Sequence, residues 1–437
     1  MPVPVFVEVS DTLGATFITG FQRHTREFLR RLPNEANNDA AYALVPIRWC
    51  IGCSSFRRLD DAEHELLRTP PPPAIATPRM LSRLADSLPA PFPDMLRRAV
   101  HLPSVRRTRH RIARLRGRGT HPLHHDALRI DEWPKDAWFL DLEAVWHNPA
   151  TRDRLLPELR SHGVHTAALI ADVMPELYPQ WFSRVTVDVF DRFIRAHLAH
   201  SDHIVCISEC TLTDTRALAA RLGRTRSLDA VVIPLGADFA DVAKVADVEL
   251  PDALVDRPFI VCVGTLEPRK NQSLVIDAIE RLDDHPELAL VLVGRTGWKV
   301  DELVERIETH PLLGDRLFWF DRADDALLQT LYRHAFLAIT PSRYEGYGMP
   351  VIEALAHGTP TISSHRGALA EAGGDWVEQI DPDDVDALVA LLARHLTDPA
   401  HHRNRRKALV GYRAPTWDEA AAALDAGLGR FIAGHHS

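Results

Sequence analysis

The sequence predicts two doubly wound α/β domains, and three observations lead to that prediction. The chain has 437 residues, well beyond the roughly 250 to 300 at which a single hydrophobic core stops growing. Short β-branched segments alternate with segments of helical periodicity, a pattern typical of parallel sheets covered by helices. A stretch without clear periodicity, near residues 237–257, separates the two halves. We therefore predict a first domain at 1–240, a second at 241–414 and a C-terminal segment at 415–437.

Each half contains six predicted strands, with helices between them. The strands of the first half are predicted at 5–9, 42–49, 138–142, 166–173, 203–208 and 231–236. Those of the second half are predicted at 259–265, 288–294, 316–320, 336–340, 360–364 and 376–380. Helices of the first half are expected near 16–32, 183–200 and 209–222. The second half is the more regular of the two.

Residues 54–130 interrupt this alternation and are predicted to form an insert. Its proline-rich part, at 69–78, is too stiff for a helix or a central strand. Between Asp94 and Asp126 there is no acidic residue, whereas there are many arginines. They are Arg97, Arg98, Arg106, Arg107, Arg109, Arg111, Arg114, Arg116 and Arg118. This basic segment is expected either to bind an anionic membrane surface or to pair with acidic groups of this protein or of a partner.

Composition argues against several classes of protein. The net charge of −9 disfavours a dedicated nucleic-acid binder, and no apolar run approaches the roughly 18 residues of a membrane-spanning helix. The N-terminus resembles no secretory signal and the five cysteines give no disulfide framework, so we expect a cytoplasmic location. Cys50 and Cys53 lack a second cysteine pair, and Asp381 and Asp383 precede a helix that they would cap, so no metal site is predicted.

The most informative segment runs from Pro341 to Pro360, directly after a predicted strand. Pro350 is suited to the start of a helix and Gly358 to its end. The residues before the proline form a glycine-containing loop, consisting of Gly346, Tyr347, Gly348 and Met349. Free backbone N–H groups and the helix dipole at such a position favour a bound phosphate.

Two glutamates flank this loop, Glu345 before the helix and Glu353 in its predicted first turn. Two carboxylates beside an anion site are unfavourable unless they contact hydroxyl groups. The hydroxyls of a ribose and of a sugar are therefore their expected partners.

A second segment places Arg269 and Lys270 between the strand at 259–265 and a helix that begins near Asn271. The chain has only five lysines, so Lys270 is not explained by background composition. Adjacent cations at a helix N-terminus are destabilising by themselves, because the dipole prefers anions there. A bound diphosphate explains them, and they can offset the charge of a diphosphate leaving group where other enzymes use a metal ion.

Together, the segments G-T-L-E-P-R-K-N and P-S-R-Y-E-G-Y-G-M-P-V-I-E-A resemble the donor half of glycosyltransferase family 4, over about residues 260–400. The resemblance implies the GT-B fold, in which two Rossmann-like domains face each other across a cleft. It also implies retaining transfer, and a C-terminal helix that crosses back to pack on the first domain.

The resemblance implies roles for individual residues of the donor half. Arg269 and Lys270 would bind the donor diphosphate, Glu345 would meet the transferred sugar, and Glu353 would hold the ribose hydroxyls. The backbone amides of 346–349 would grip sugar and phosphate. Further donor-site residues are Gly264, Thr265, Gly294 and Arg295, with Trp298 beside the nucleotide.

The first domain resembles the bacterial subgroup that builds O-antigen and exopolysaccharide chains, through TGFQRHTREFLRRL and ADVMPELYPQWF. Many relatives carry a histidine or tyrosine where this chain has Ala171, so a catalytic histidine is not expected at that point. Asp172 is expected to face the cleft as a catalytic residue. Gly20 and Arg23 are candidate contacts for the acceptor or a phosphate, with a structural glycine and a surface arginine as the alternative.

The predicted function is metal-independent transfer of a hexose or deoxyhexose, with mannose or rhamnose favoured, in surface polysaccharide synthesis. The donor would be a GDP- or dTDP-sugar, the acceptor a glycan or lipid-linked saccharide at the inner membrane face, and no other cofactor is expected. One alternative is a sugar phosphorylase or nucleotide-sugar epimerase on the same scaffold. Another is a non-catalytic nucleotide-sugar-binding or scaffold subunit of a polysaccharide assembly.

Overall fold

The structure, a computed structural model, describes most of the chain. It covers residues 2–15, 20–37, 39–50, 54–69, 127–224, 227–237 and 247–435. Within these ranges the chain forms two α/β units, each built on its own sheet. The twelve predicted strands are all present, with boundaries that shift by a few residues, and two further strands were not predicted.

The first sheet has eight strands among the described residues. They are β1 (Val3–Glu8), β2 (Tyr42–Cys50), β3 (Ser55–Arg58), β4 (Ala127–Leu128), β5 (Trp138–Asp141), β6 (His165–Ile170), β7 (His203–Cys206) and β8 (Asp229–Val232). Their spatial order is β4-β3-β2-β1-β5-β6-β7-β8. From β2 to β8 along this order the strands are parallel, and the topology changes direction between β1 and β5.

Seven helices accompany this sheet in the described ranges. They are α1 (Ser10–Gly14), α2 (Gly20–Arg31), α3 (Asp61–Arg68), α4 (Arg152–Ser161), α5 (Met174–Leu177), α6 (Arg184–His200) and α7 (Glu209–Arg221). Ser183 and Ser208 cap α6 and α7 by accepting backbone N–H groups of their first turns, which is the preferred chemistry at a helix start.

Strands β3 and β4 are the two that were not predicted, and they form the base of the insert. β3 pairs antiparallel with β2, and β4 pairs antiparallel with β3, at the edge of the sheet. Their sequences, Ser-Phe-Arg-Arg and Ala-Leu, are too short and too charged to show a strand periodicity. The arginine-rich segment of the insert lies outside the described residues.

The second sheet has six parallel strands in the part of the chain described. They are β9 (Phe259–Val263), β10 (Ala289–Val293), β11 (Leu317–Phe320), β12 (Leu337–Thr340), β13 (Thr361–Ser364) and β14 (Glu378–Ile380). Their order, β11-β10-β9-β12-β13-β14, is the order of a dinucleotide-binding sheet. The direction reverses between β9 and β12, and ligands of such sheets bind outside the carboxyl ends of the strands at that point.

The helices of the second half complete the fold. They are α8 (Gln272–Glu280), α9 (Asp301–Glu308), α10 (Asp325–His334), α11 (Met349–Ala356), α12 (Leu369–Gly373), α13 (Val385–Thr397), α14 (Pro399–Ala408) and α15 (Trp417–His435). Because α11 begins at Met349, Pro350 is its second residue and Glu353 lies in its second turn rather than the first, as the sequence analysis had placed it.

Helix α15 follows the second unit in sequence but packs into the core of the first. Trp417, Leu428 and Phe431 are buried there, and the Trp417 ring meets Phe28 of α2 edge to face at 6.0 Å. A Cβ on Gly236 would lie 2.3 Å from the backbone nitrogen of Trp417, so a glycine is needed where the chain leaves the first unit.

The described residues contain no helix that combines the length and the apolar character of a membrane-spanning segment.

Candidate active site in the cleft

The predicted site residues of the second unit meet at the carboxyl ends of β9 and β12, the switch point of the sheet. The loop after β9 carries Arg269 and Lys270, and the loop after β12 carries Glu345. The Arg269 guanidinium lies 2.5 Å from Glu345 Oε2, and the Lys270 ammonium lies 2.5 Å from Glu345 Oε1. Ser342 Oγ donates a further hydrogen bond of 2.8 Å to Oε1. The two motifs that were recognised separately in the sequence therefore form one charged cluster.

The electrostatics of this cluster fix its charge state. Glu345 is only 6% exposed, and burial alone would raise its pKa, but Arg269 and Lys270 outweigh burial and lower the pKa to about 2. Burial would lower the pKa of Arg269, but Glu345, Glu267 and Asp172 together raise it. At neutral pH the glutamate is therefore a carboxylate between two cations.

Asp172 reaches the same cluster from the first unit. It follows β6, and its Oδ1 accepts the N–H of Met174 at 2.9 Å. Burial raises the pKa of Asp172, while the positive charge of Arg269 opposes that rise. This aspartate therefore lies in the cleft, within the electrostatic reach of the donor-side residues, as the sequence analysis expected.

Two glycines shape the loops around the cluster. Gly264 and Gly294 directly follow β9 and β10 and have φ of 149° and 147°, values that side-chain-bearing residues rarely adopt. A Cβ on Gly294 would lie 2.1 Å from the Gly264 carbonyl oxygen. The backbone of Leu266 then pairs with Arg295 at 2.9 Å, which joins the two loops. Close backbone packing accounts for Gly294, whereas Gly264 is explained by its positive φ and by the Lys270 side chain, which would lie 3.2 Å from a Cβ there. Thr265 is half-buried.

Gly346 lies at the contact between the two units. A Cβ there would lie 2.2 Å from the carbonyl oxygen of Ala171. Its own carbonyl accepts hydrogen bonds from Ser208 Oγ at 2.7 Å and from Thr211 Oγ1 at 3.0 Å. The glycine loop therefore touches the first unit directly, which the sequence analysis did not foresee.

The next residues extend this contact. The Tyr347 hydroxyl donates to the carbonyl of Leu235 at 2.9 Å, and Met349 packs against the core of the first unit. Gly348 has a φ of 113° and precedes α11. A backbone with positive φ at this position turns the chain from the loop into the helix.

Glu353 occupies a different environment from Glu345, although both are 6% exposed. The hydroxyl of Tyr332 donates to its Oε2 at 3.2 Å, and Arg23 of the first unit lies 3.9 Å from its Oε1. Arg23 also pairs with Asp325 at 2.7 Å. Burial raises the pKa of Glu353 to about 7, and Arg23 only partly opposes it. Arg23, a candidate acceptor residue, thus reaches the donor-side glutamate across the cleft.

Three further contacts close the cleft, and local sequence patterns gave no signal for them. Glu371 accepts the N–H groups of Glu209 and Cys210 at 3.1 and 3.3 Å, so it caps α7 of the other unit. The Trp298 indole donates to the carbonyl of Trp181 at 2.7 Å. Lys299 donates to a neighbouring carbonyl, that of residue 180, at 2.8 Å.

Two candidate residues have less informative surroundings. Gly20 is exposed at the start of α2, and a Cβ there would meet nothing within 4 Å, so no close contact explains this glycine. The side chain of Arg295 is exposed at the rim of the cleft. Burial lowers the pKa of Arg295 and Glu267 opposes that change.

Two sheets of this order, joined across a cleft by a returning C-terminal helix, define a GT-B protein. Residues 251–410, which make up most of the second unit, match the family of glycosyl transferases group 1. The chain superimposes on sucrose-phosphate synthase from Thermosynechococcus elongatus with a TM-score of 0.58 and 18% identity, over 99% of this chain and 100% of that chain. The predicted GT-B fold and the resemblance to glycosyltransferases are therefore confirmed.

Several relatives of similar sequence are named as bacterial mannosyltransferases, and others as glycogen synthase of Mycobacterium tuberculosis, 34% identical over 34% of this chain and 36% of that protein. The serotype-specific mannosyltransferase WbdA of Escherichia coli is 30% identical over 219 residues, which cover 47% of this chain and 27% of that protein. The lipopolysaccharide core biosynthesis mannosyltransferase LpcC of Rhizobium leguminosarum bv. viciae is 24% identical over 62% of this chain and 76% of its own length. The chain thus spans about a quarter of the length of the E. coli relative.

The two glutamates predict a specific pH dependence. The pKa of Glu353 is about 7 in the folded protein, whereas its ordinary value is 4.5. The folded protein therefore binds this proton more tightly than the unfolded chain does. The resulting stability is fully present below pH 4.5 and is lost as the pH rises through 7. Glu353→Gln is always neutral. From pH 5 to pH 8 we expect wild type to lose on the order of 1 to 3 kcal/mol relative to this variant, measured by urea unfolding.

Glu302→Gln, which changes an exposed carboxylate on α9, is the matched control and should follow wild type at both pH values. Parallel pH profiles for wild type and Glu353→Gln would contradict the environment described for Glu353.

Proposed function

We propose that this protein is a retaining glycosyltransferase that moves a hexose or deoxyhexose from a nucleotide diphosphate donor to a glycan. The observation that carries the proposal is the buried Glu345 carboxylate, held between Arg269 and Lys270 at the switch point of the second sheet. The family of the second domain supports the same reaction class.

The two cations suit a diphosphate leaving group. Lys270 uses one contact for Glu345, and an ammonium has three N–H donors, so donors remain for phosphate oxygens. Arg269 is held from two sides, by Glu345 and by Glu267 at 2.7 Å, which fixes the plane of its guanidinium. Positive charge preset in this way stabilises the charge that develops on the departing phosphate, without reorganisation during the reaction.

Retention is explained by attack from the face that the diphosphate leaves. The bond between the anomeric carbon and the phosphate oxygen breaks, and the acceptor hydroxyl oxygen forms the new bond to that carbon. The acceptor's proton goes to the departing phosphate oxygen. Glu345 orients the sugar and stabilises its positive charge, and Asp172 faces the acceptor side. The contacts between the two units exclude water and limit hydrolysis of the donor.

Mannose or rhamnose is the favoured sugar, carried by GDP or dTDP, with a glycan or lipid-linked saccharide as acceptor. The names of the mannosyltransferase relatives support mannose in surface polysaccharide synthesis. The alternative of a non-catalytic nucleotide-sugar-binding subunit is disfavoured, because Glu345, Glu353, Arg269 and Lys270 are all present, whereas a binding-only relative is expected to have lost some of them. Release of a nucleoside diphosphate only when a glycan acceptor is present distinguishes transfer from a phosphorylase or an epimerase.

Substitution of the charged cluster tests the proposed activity. Lys270→Ala and Glu345→Gln should each lower the rate of transfer by on the order of 100- to 1000-fold, because each removes one preset electrostatic contact of the transition state. Glutamine is chosen because Glu345 is buried, and truncation to alanine would leave a void beside two cations. The measurement is release of nucleoside diphosphate with a panel of donors and an acceptor glycan.

The matched controls are Lys407→Ala and Glu302→Gln, which change an exposed lysine on α14 and an exposed glutamate on α9. Both should keep wild-type rates. Wild-type turnover in folded Lys270→Ala or Glu345→Gln would exclude the proposed site.

Metal independence is a second expectation of the proposal. Since Arg269 and Lys270 supply the positive charge beside the diphosphate, turnover is expected to survive an excess of EDTA. Loss of turnover in EDTA that is restored by magnesium or manganese would exclude this role for the two cations.

The arginine-rich segment gives the proposal a membrane component, which rests on the sequence alone. A few arginines near anionic lipid contribute about 1 kcal/mol each. We expect salt-sensitive cosedimentation with phosphatidylglycerol vesicles that is lost when Arg106, Arg107, Arg109 and Arg111 are changed to glutamate, with transfer to a soluble acceptor retained. Equal cosedimentation of the two proteins would leave pairing with acidic protein groups as the role of the segment.

A further inference from the structure

Three potential metal ligands converge at the amino end of β14, on the side of the second sheet away from the carboxyl ends that hold the candidate active site. Glu378 is the first residue of β14, His395 lies in the last turn of α13, and His401 lies in the first turn of α14. One ligand atom of each residue lies within 4.8 Å of the ligand atoms of the other two. We call these three residues the His–Glu cluster.

The carboxylate of Glu378 faces one imidazole with each oxygen. Its Oε2 lies 2.7 Å from His395 Nε2, and its Oε1 lies 3.0 Å from His401 Nε2. The His401 nitrogen is buried and has no hydrogen bond of acceptable geometry, despite this short distance. His401 Nε2 is thus directed into the cluster without being aligned on the carboxylate, as expected of a metal ligand rather than of a simple ion pair.

A third histidine, outside the cluster, contacts the ring of His395. His402 Nδ1 lies 3.2 Å from His395 Nδ1, and its ring stacks on Phe336 at a centroid distance of 4.0 Å. One of these two nitrogens must accept the hydrogen bond. A partner on Nδ1 fixes the ring of His395 so that Nε2 points at Glu378, the usual device for orienting a metal-binding histidine.

We propose that the His–Glu cluster binds a Zn²⁺ ion through His395 Nε2, His401 Nε2 and Glu378, with water as the fourth ligand. Two imidazole nitrogens and a carboxylate suit zinc, whose ligand bonds of about 2.0 to 2.2 Å place the ligand atoms of a tetrahedral site roughly 3.3 Å apart. The two oxygen–nitrogen separations, 2.7 and 3.0 Å, are slightly shorter than that value, and all the ligand atoms lie within 4.8 Å of one another. The partial exposure of His401 and Glu378 leaves room for water.

The position of the cluster indicates a structural effect of the metal. It would tie β14 to α13 and α14, the elements that lead to the returning helix α15. Because these ligands lie at the opposite end of the sheet from Lys270 and Glu345, zinc is expected to change stability and not the chemistry of transfer. The proposal is therefore independent of the proposed function. No metal site is predictable from the sequence here, because the ligands come from three elements without a recognisable ligand spacing.

An ion-pair network without metal is the competing explanation. Arg405 Nε lies 3.6 Å from Glu378 Oε2 and could supply the positive charge that this carboxylate needs. Arg405 is directed mainly elsewhere, since it donates to the carbonyl of Trp376 at 2.7 Å. Zinc titration decides between the two explanations.

The experiment uses the full chain without a histidine tag, stripped with chelator and titrated with ZnCl₂ by calorimetry, with thermal unfolding measured in parallel. We expect one saturable zinc site and a rise in the unfolding midpoint, because a ligand of the folded state stabilises it. Glu378→Gln and His401→Asn should weaken binding by about 10-fold or more and abolish the rise.

Two control variants test whether zinc binds specifically at the His–Glu cluster, and a further measurement checks that the cluster variant folds. His310→Asn removes the histidine of another His–Glu pair in the second domain, and His435→Asn removes one of a group near the C-terminus; both should bind zinc as wild type does. His401 is partly exposed on α14, so its variant is expected to fold, which the metal-free unfolding midpoint checks. No saturable binding by wild type, or equal affinity in wild type and His401→Asn, would overturn the proposal.

Discussion

The ion cluster of Glu345, Arg269 and Lys270 is the interaction on which the arrangement of the cleft depends. A buried charge without a partner costs several kcal/mol, so none of the three side chains is stable at its position without the others. Their mutual contacts hold the loop after β9 against the loop after β12. The charge arrangement of the site is therefore fixed by the fold of the second domain.

The same loop also sets how closely the two domains approach. Gly346 fits against the carbonyl of Ala171, and Ser208 and Thr211 hydrogen bond to its own carbonyl. Any side chain at this position would separate the domains at the point where Asp172 approaches Arg269. The sequence motif explained this glycine by phosphate binding alone. The structure shows a second reason for it, because only a residue without a side chain fits where the two domains touch.

The sequence was sufficient to predict those features of the fold that depend on local periodicity and on the order of the strands. Alternating apolar segments placed twelve strands, and the loops after β9 and β12 met because the carboxyl ends of adjacent parallel strands share one edge of the sheet. The contacts of Glu371 with α7, of Trp298 with Trp181 and of Arg23 with Glu353 were missed. They depend on the relative orientation of two domains, which no local pattern encodes. β3 and β4 were missed because each is too short to show periodicity.

The two glutamates of the donor loop show how the domain contact affects charge. They belong to one motif and are equally buried, yet the pKa of Glu345 is about 2 and that of Glu353 about 7. Glu345 pairs with two cations of its own domain at 2.5 Å, whereas the cation paired with Glu353 is Arg23 of the other domain, at 3.9 Å, and Lys270 acts on Glu353 more weakly. The charge of Glu345 is thus set by cations of its own domain, whereas burial dominates at Glu353 and the cation that opposes burial most strongly comes from the other domain.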